Sequence, residues 1–201
     1  MTVNRTAHLA RCARVWVEAI VAITGWSIAS SAQPVASRDP IRVGPYLHDL
    51  GATHVEVRAA VDPPGPFEVT LRKAGADGGA PRVFSSKPAA MHAVPIDGLE
   101  PRTRYEYVAT SGKARVEGAL VTAPPDDDRT PFVALAYGDN RTDDHAHELV
   151  VRAMLDAPSD LLLHTGDFVD DSSREIQWKQ FFDIEAPLLR DRCLFTTIGN
   201  H

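Results

Sequence analysis

The chain has little cysteine and no excess of positive charge. Its 201 residues include two cysteines, and the formal net charge is −6. A mildly acidic chain lacks the basic surface that broad nucleic-acid binding requires, so we predict no nucleic-acid partner. Cys12 lies in a segment that we expect to be removed. Cys193 is then alone, which excludes a disulfide framework and a cysteine metal site and predicts a small buried residue.

A long hydrophobic run is also missing from the N-terminus. The apolar stretch from Val15 to Ile28 has about 14 residues, whereas a membrane-spanning helix needs roughly 20. Arginines precede the stretch and small residues follow it at 29–32, which is typical of an export signal. We predict that 1–32 is a signal peptide, that the mature protein is periplasmic or extracellular, and that no stable membrane span remains after cleavage. An N-terminal membrane anchor and a disordered tail are the alternatives.

Residues 41–123 alternate between apolar and polar positions in short runs. The stretches 54–61 and 67–72 are examples, and turns rich in proline and glycine separate the runs. Period-two alternation buries one face of each strand, which predicts an antiparallel β-sandwich. Short linkers are predicted at 33–40 and 124–131.

The pattern of residues 132–201 changes to strand, helix, strand, helix, strand. The predicted strands are 132–137, 160–165 and 193–198, and the predicted helices are 142–155 and 173–189. Continuous apolar runs are typical of strands covered on both faces, and the alternation of strands with helices predicts a parallel sheet. The predicted fold class is therefore multidomain, a β-sandwich followed by a βαβαβ unit of the α/β class.

Helical spacing and strand position also predict where individual side chains lie. In the first helix we expect Leu149, Val150, Ala153 and Met154 on one apolar side and His147 in solvent. His164 lies within the second predicted strand, and we expect it to be a core residue with satisfied hydrogen bonds.

Each of the three predicted strands ends at a glycine that is followed by an acid or an amide. The turns are Gly138-Asp139, Gly166-Asp167 and Gly199-Asn200, and His201 follows the last of them. The carboxyl ends of parallel strands share one edge of the sheet, where ligands collect. Two carboxylates, an amide oxygen and an imidazole at one edge suit hard and borderline metal ions.

These turns resemble the signature of the calcineurin-like metallophosphoesterases. The matching segments are Gly138-Asp139-Asn140-Arg141, Gly166-Asp167-Phe168-Val169-Asp170 and Gly199-Asn200-His201. The resemblance implies the first half of a metallophosphoesterase α/β sandwich that hydrolyses phosphoester bonds with two metal ions. Iron, zinc and manganese are the leading candidates for the metals. It further implies a phosphorylated substrate, either a small molecule or a macromolecule, with monoester, diester and nucleotide hydrolysis left open.

The same resemblance implies a role for each residue of the site. Asp167 would bridge the two metals, Asp139 would bind one and Asn200 the other. His201 would donate a proton to the leaving group or hold the phosphoryl oxygens. Asp170 would orient either His201 or a metal-bound water.

Two positions depart from the pattern of the relatives. Arg141 stands where many of them have a histidine ligand, and a guanidinium cannot bind a metal ion. We expect Arg141 to contact the substrate phosphate, or else to be an ordinary surface arginine. Asp170 stands where purple acid phosphatases have a tyrosine, so their iron–tyrosinate colour is not expected.

The sandwich region carries a second resemblance. Leu99, Pro101, Thr103 and Tyr105 match the L-x-P-x-T-x-Y pattern of fibronectin type III-like domains, in which the tyrosine bonds to nearby backbone. A sandwich placed before such an α/β unit is similar to the layout of the purple acid phosphatases.

The family's remaining ligands come from two histidine motifs that follow the third strand, whereas the sequence stops at His201. We therefore expect a C-terminally truncated domain that is inactive alone and active within a longer protein, or else a natural truncation. A function of a different class is the alternative. In that case the protein is a non-catalytic exported adhesion or carbohydrate-binding protein with a vestigial phosphoesterase domain.

Overall fold

The computed structural model describes residues 40–75 and 79–201 of the chain. The predicted signal peptide, 1–32, lies outside the described residues. Within the part that is described, no helix is long and apolar enough to cross a lipid bilayer.

Antiparallel strands form the first half of the described chain. They are β1 (Ile41–His48), β2 (His54–Lys73), β3 (Arg82–Asp97), β4 (Arg104–Ser111) and β5 (Ala114–Val121). The ladders join β1 to β2, β2 to both β3 and β4, and β4 to β5. This arrangement confirms the predicted antiparallel β-sandwich.

The long strands β2 and β3 each take part in both layers of the sandwich. The first half of β2 pairs with β1 and with the second half of β3, whereas its second half pairs with β4 and with the first half of β3. The register shifts between Ala60 and Phe67, around the prolines of this strand. Proline cannot donate to a ladder and is confined to edges and bulges. The turn predicted here is therefore a bend within one strand.

Alternate side chains of the two layers meet in a single core. Val57, Phe67, Ile96 and Tyr107 are among its members, and each is at most 1% exposed. Burying aliphatic and aromatic side chains of this size contributes about 1.5–3 kcal/mol each relative to leaving them in water. The apolar positions of the alternating sequence are therefore the positions that are buried in the core.

Parallel strands and two helices form the second half. They are β6 (Ala134–Tyr137), α1 (Asp144–Asp156), β7 (Leu161–His164), α2 (Glu175–Leu189) and β8 (Leu194–Thr196). The strand order is β6-β7-β8, and both neighbouring pairs are parallel. The predicted βαβαβ unit is confirmed.

Both helices pack on the same face of this parallel sheet. Met154 of α1 and Leu188 of α2 form a core cluster with Leu162 of β7. Right-handed crossovers between strands that lie in chain order put consecutive helices on one side. Leu163 and Phe195 point to the other side and remain 40% and 43% exposed. Among the described residues, the helices therefore cover one face of this sheet and leave the other apolar face exposed.

The buried face of α1 agrees with the prediction at Met154, which is 8% exposed, but differs from it elsewhere. Leu149 and Val150 are 52% and 46% exposed, whereas His147 is only 4% exposed. The apolar spacing was misleading because a polar side chain with buried partners takes a core position. Asp143 precedes the helix as its N-cap and accepts a hydrogen bond from the Ala146 amide at 3.0 Å.

The two halves of the described chain pack against each other. The rings of Tyr46 in β1 and Phe182 in α2 lie 5.3 Å apart. Cys193, just before β8, is 1% exposed and belongs to the sandwich core cluster. The prediction that Cys193 is a small buried residue is confirmed.

Candidate functional site

The candidate site lies at the carboxyl edge of the parallel sheet. Tyr137 at the end of β6 pairs with His164 at the end of β7, and His164 pairs with Thr196 at the end of β8. The turns that follow these three strands therefore lie at the same edge. They carry all six residues that the sequence singled out, namely Asp139, Arg141, Asp167, Asp170, Asn200 and His201.

Asp139 and Asp167 share an uncommon backbone conformation. Their φ angles are +55° and +57°. The left-handed region is seldom populated by residues other than glycine, although aspartate and asparagine tolerate it best. Residues held in such conformations cluster at functional sites. The repeat of the same geometry at two successive strand ends supports a common purpose for the two carboxylates.

Glycines allow these turns to touch. A Cβ atom on Gly166 would lie 2.5 Å from the Gly199 amide nitrogen, and one on Gly199 would lie 1.8 Å from Asp167 Oδ1. The first turn joins the second directly, because the Asp139 amide donates to the Gly166 carbonyl at 3.1 Å. No larger residue fits at Gly166 or Gly199 without displacing the turns.

The Arg141 guanidinium draws the two carboxylates together. Its Nη1 atom contacts Asp139 Oδ1 and donates to Asp167 Oδ2 at 3.2 Å. Its Nε atom lies 3.9 Å from Asp170 Oδ1. Arg141 is therefore an internal partner of the acidic residues, with a side chain that is 21% exposed. The sequence did not predict this role for Arg141.

Asp167 is the most highly connected acid of the site. Its Oδ1 atom accepts from the His201 amide at 3.1 Å, while Oδ2 faces Arg141. Partial burial would raise the pKa of Asp167, but the hydrogen bonds from the His201 amide and the Arg141 guanidinium outweigh it and hold the pKa below its usual value. Asp167 is therefore a carboxylate anion at neutral pH.

His201 contacts the backbone of Asp170 more closely than its carboxylate. The His201 Nδ1 atom lies 3.0 Å from the Asp170 carbonyl oxygen and 3.9 Å from Asp170 Oδ1. A carbonyl oxygen only accepts hydrogen bonds, so Nδ1 carries a proton in this contact. The ring is thus oriented by the Asp170 main chain. No hydrogen bond joins the Asn200 side chain to either carboxylate within residues 40–75 and 79–201.

The donor set fits a metal ion in its chemistry but supplies few ligands. Asp139 and Asp167 both contact the positively charged guanidinium of Arg141. Carboxylate oxygens are also ligands for divalent ions of iron, zinc and manganese. Within the described part of the chain, no group of three or more histidine, cysteine, aspartate or glutamate side chains is arranged to hold a metal. The carboxylates of Asp139 and Asp167 therefore form part of a candidate metal site.

A polar cavity of about 330 Å³ adjoins Arg141. Its walls come from the turn after β6, the start of α1 and the first turns of α2, and they include Asn140, Asp143, Gln177 and Gln180. The space is lined mostly by amide, carboxylate and guanidinium groups. It can admit a polar group that extends from the carboxylate edge.

Sequence reasoning missed a set of polar residues behind the site, of which His147, His164 and Glu185 are buried and the others partly buried. Tyr137, Asn140, His147, His164 and Glu185 are joined by hydrogen bonds. The prediction that His147 is solvated is wrong, and the prediction that His164 is a satisfied core residue is confirmed. Glu185 offered a signal, because it lies four residues after Phe181 and three before Leu188, on the apolar stripe of α2.

Two solved structures are similar in fold to this chain. A solved structure of PhoD matches with a TM-score of 0.67 at 18% identity, over 84% of this chain and 40% of that one. A purple acid phosphatase from yellow lupin (Lupinus luteus) seeds matches with a TM-score of 0.62 at 16% identity, over 78% of this chain and 35% of that one. No family model and no curated protein sequence matches. The chain has a metallophosphoesterase-like fold and spans less than half the length of these two structures.

Proposed function

We propose that the full-length protein hydrolyses phosphoester bonds in a metal-dependent reaction. The observation that supports this function best is the convergence of Asp139 and Asp167, both in left-handed turns, on the single cation of Arg141. An edge that gathers two carboxylates around a positive charge is suited to binding cations. The likeness in fold to PhoD and to a purple acid phosphatase agrees with this chemistry.

Asp139, Asp167 and Asn200 would hold two metal ions of iron, zinc or manganese. Asp139 and Asp167 would supply carboxylate oxygens, and Asn200 would supply its amide oxygen. Metal ions in such centres activate water at neutral pH and neutralise charge on a phosphoryl group. The low pKa of Asp167 keeps this carboxylate ionised and ready to bind.

Arg141 would bind the phosphoryl group of the substrate. Its guanidinium lies at the carboxylate edge and beside the polar cavity, so it can exchange one carboxylate partner for phosphate oxygens. Planar guanidinium groups bind phosphate through two parallel hydrogen bonds. The charge of Arg141 would in this way guide an anionic substrate towards an acidic edge.

His201 would transfer a proton to the leaving group or hold the phosphoryl oxygens. The Asp170 carbonyl fixes the proton on Nδ1. The Nε2 atom would carry a second proton in the imidazolium form, and transfer of that proton to a leaving alkoxide would leave the neutral ring with its proton on Nδ1. Asp170 would act as a positioning residue in this step, mainly through its main chain.

The sandwich would serve as a fibronectin type III-like module in an exported protein. The Tyr105 hydroxyl accepts from the Glu100 amide at 2.9 Å, as expected for the tyrosine of such a domain, and Leu99 is buried nearby. Export is proposed from the N-terminal sequence pattern alone, and the compartment would be the periplasm or the exterior.

The test is hydrolysis of p-nitrophenyl phosphate and bis-p-nitrophenyl phosphate by the full-length protein loaded with Mn²⁺, Zn²⁺ or Fe²⁺. We expect Asp167→Asn to abolish hydrolysis, because the substitution removes an anionic metal ligand. Asp183→Asn is the matched control, since Asp183 lies on the surface of α2 with Lys179. Hydrolysis that survives Asp167→Asn at the wild-type rate would contradict the proposal.

A further inference from the structure

A continuous line of buried polar side chains supports the candidate site from behind. His147, His164 and Glu185 are 4%, 1% and 0% exposed, and Asn140 lies between the two histidines. Buried polar groups without partners are costly, so the direction of each hydrogen bond in the line matters. The direction follows from which atoms can donate and which can accept.

The line begins at the turn that carries Asp167. The Gly166 amide donates to His164 Nδ1 at 3.1 Å, so Nδ1 carries no proton. Burial is the largest cause of a pKa of His164 of about 4, which keeps this ring neutral at neutral pH. The single ring proton is therefore on Nε2, and it is donated to Asn140 Oδ1 at 2.9 Å. This contact crosses from the second turn to the first.

The line continues from Asn140 into the helices. The Asn140 Nδ2 atom only donates, and it lies 3.0 Å from His147 Nδ1 and 2.9 Å from Nε2. An ionised Glu185 only accepts, and its Oε1 atom lies 2.6 Å from His147 Nε2. His147 Nε2 therefore carries the proton, and Nδ1 accepts from Asn140. The Tyr137 hydroxyl closes the line by donating to Glu185 Oε2 at 2.8 Å.

Every donor and acceptor along this line has one assignment. The hydrogen-bond partners place a proton on Nε2 of both histidines and make Nδ1 of both an acceptor, and the Asn140 amide then has one orientation. The line ties α1, α2, β6 and β7 to Asn140, the residue that follows Asp139. At its other end, the series of hydrogen bonds reaches the amide of Gly166, the residue that precedes Asp167. The aromatic ring of Phe168 stacks on His164, and that of Phe181 stacks on His147.

We propose that Asn140, His147 and Glu185 are positioning residues that fix the separation of the Asp139 and Asp167 carboxylates, an inference that rests on the proposed function. The Asn140 side chain joins the first turn to the end of β7, and it adds to two other links between the turns, the hydrogen bond from the Asp139 amide to the Gly166 carbonyl and the one from Arg141 to Asp167. Partners in such outer positions change metal affinity about 10–100-fold when they are replaced.

The first test reads the protons directly. In full-length protein labelled with ¹⁵N at histidine, the nitrogen shifts and couplings report the tautomer of each ring at neutral pH. We expect His147 and His164 to be neutral Nε2–H tautomers. An Nδ1–H tautomer or a doubly protonated ring at either residue would overturn the assigned line. This measurement needs neither metal nor hydrolysis.

The second test uses variants of Asn140 and Glu185 with calorimetric titration of Mn²⁺. Asn140→Asp keeps the acceptor for His164 but places an oxygen against His147 Nδ1, so we expect at least about tenfold weaker binding. Glu185→Leu should act in the same direction. Glu185→Gln should restore affinity, because its oxygen can accept from His147 while its amide donates to Tyr137. Glu148→Gln, exposed on α1, is the control.

The outcomes separate the two proposals. Wild-type protein that takes up no Mn²⁺ contradicts the proposed function. Wild-type protein that binds Mn²⁺, together with Asn140→Asp and Glu185→Leu variants that bind it equally tightly, contradicts the positioning role alone. A drop in affinity with an unchanged thermal midpoint in Asn140→Asp supports positioning over a general loss of stability.

Discussion

The hydroxyl of Tyr107 in the sandwich donates a hydrogen bond to the main-chain carbonyl of Arg190, just after α2, at 2.9 Å. The next residue reinforces the contact, because Asp191 Oδ1 accepts from the Ala119 amide at 2.9 Å. Burial and the nearby Asp191 raise the pKa of Tyr107, so its hydroxyl stays protonated and able to donate. The end of α2 is thereby fixed to β4 and β5.

Replacing Tyr107 with phenylalanine tests this contact. The ring remains, but the Arg190 carbonyl loses its buried donor, so we expect the free energy of unfolding to fall by about 1–3 kcal/mol. Urea unfolding followed by circular dichroism gives the change. A Tyr107→Phe variant with wild-type stability would show that the hydroxyl contributes nothing to the junction.

The glycine beside Tyr107 gives a second prediction. A Cβ atom at Gly118 would lie 2.5 Å from the Tyr107 hydroxyl oxygen and ring. Gly118→Ala should therefore displace the ring and lower the thermal midpoint. Gly65→Ala is the control, since its Cβ atom would meet its nearest neighbour at 3.6 Å, an ordinary contact. Equal midpoints for the two variants would contradict the predicted clash.

Cys193 should be chemically inert in the folded protein. Burial raises the pKa of its thiol, and the side chain is 1% exposed within the sandwich core cluster. The thiolate is the reactive form, so both effects slow modification. In a Cys12→Ser background, we expect Ellman's reagent to react with Cys193 only after denaturant is added. Rapid reaction in native buffer would place the thiol at the surface and contradict the observed packing.

Stability should depend on pH through His164. Its pKa in the folded protein is about 4, whereas an unfolded histidine titrates near its ordinary value of about 6.5. Between these values the unfolded state binds more protons, so the free energy of unfolding should fall as pH drops from about 6.5 to about 4.

A His164→Gln variant should lose this part of the pH dependence when unfolding is measured across the same window. His145→Gln, a change at an exposed position of α1, should retain it. Parallel pH profiles for wild type and His164→Gln would mean that His164 titrates alike in both states.

The sequence was sufficient to predict a β-sandwich followed by a βαβαβ unit, and the edge at which the acids meet. Alternation with period two marks the sandwich, and the glycine before Asp139 and Asp167 marks the ends of buried strands. These signals are local, because they depend on the chirality of crossovers and on the backbone freedom of glycine. The same signals placed Asn200 and His201 at this edge.

The roles of Arg141, His147 and Glu185 could not be predicted in the same way. A charged or polar residue at a core position is stable only when partners distant in sequence satisfy it. His147 meets Glu185 across 38 positions, and no spacing rule encodes that pair. Arg141 was expected to face substrate or solvent, but it contacts two carboxylates from successive turns.

The central claim is that Asp139 and Asp167 together form a cation site. The most direct test is the metal content of the full-length protein by elemental analysis after equilibration with Mn²⁺ or Zn²⁺ and removal of free metal. We predict two ions per chain in the wild type and a loss of bound metal in Asp167→Asn, with no loss in Asp183→Asn. An Asp167→Asn protein that retains its full metal content would contradict the account.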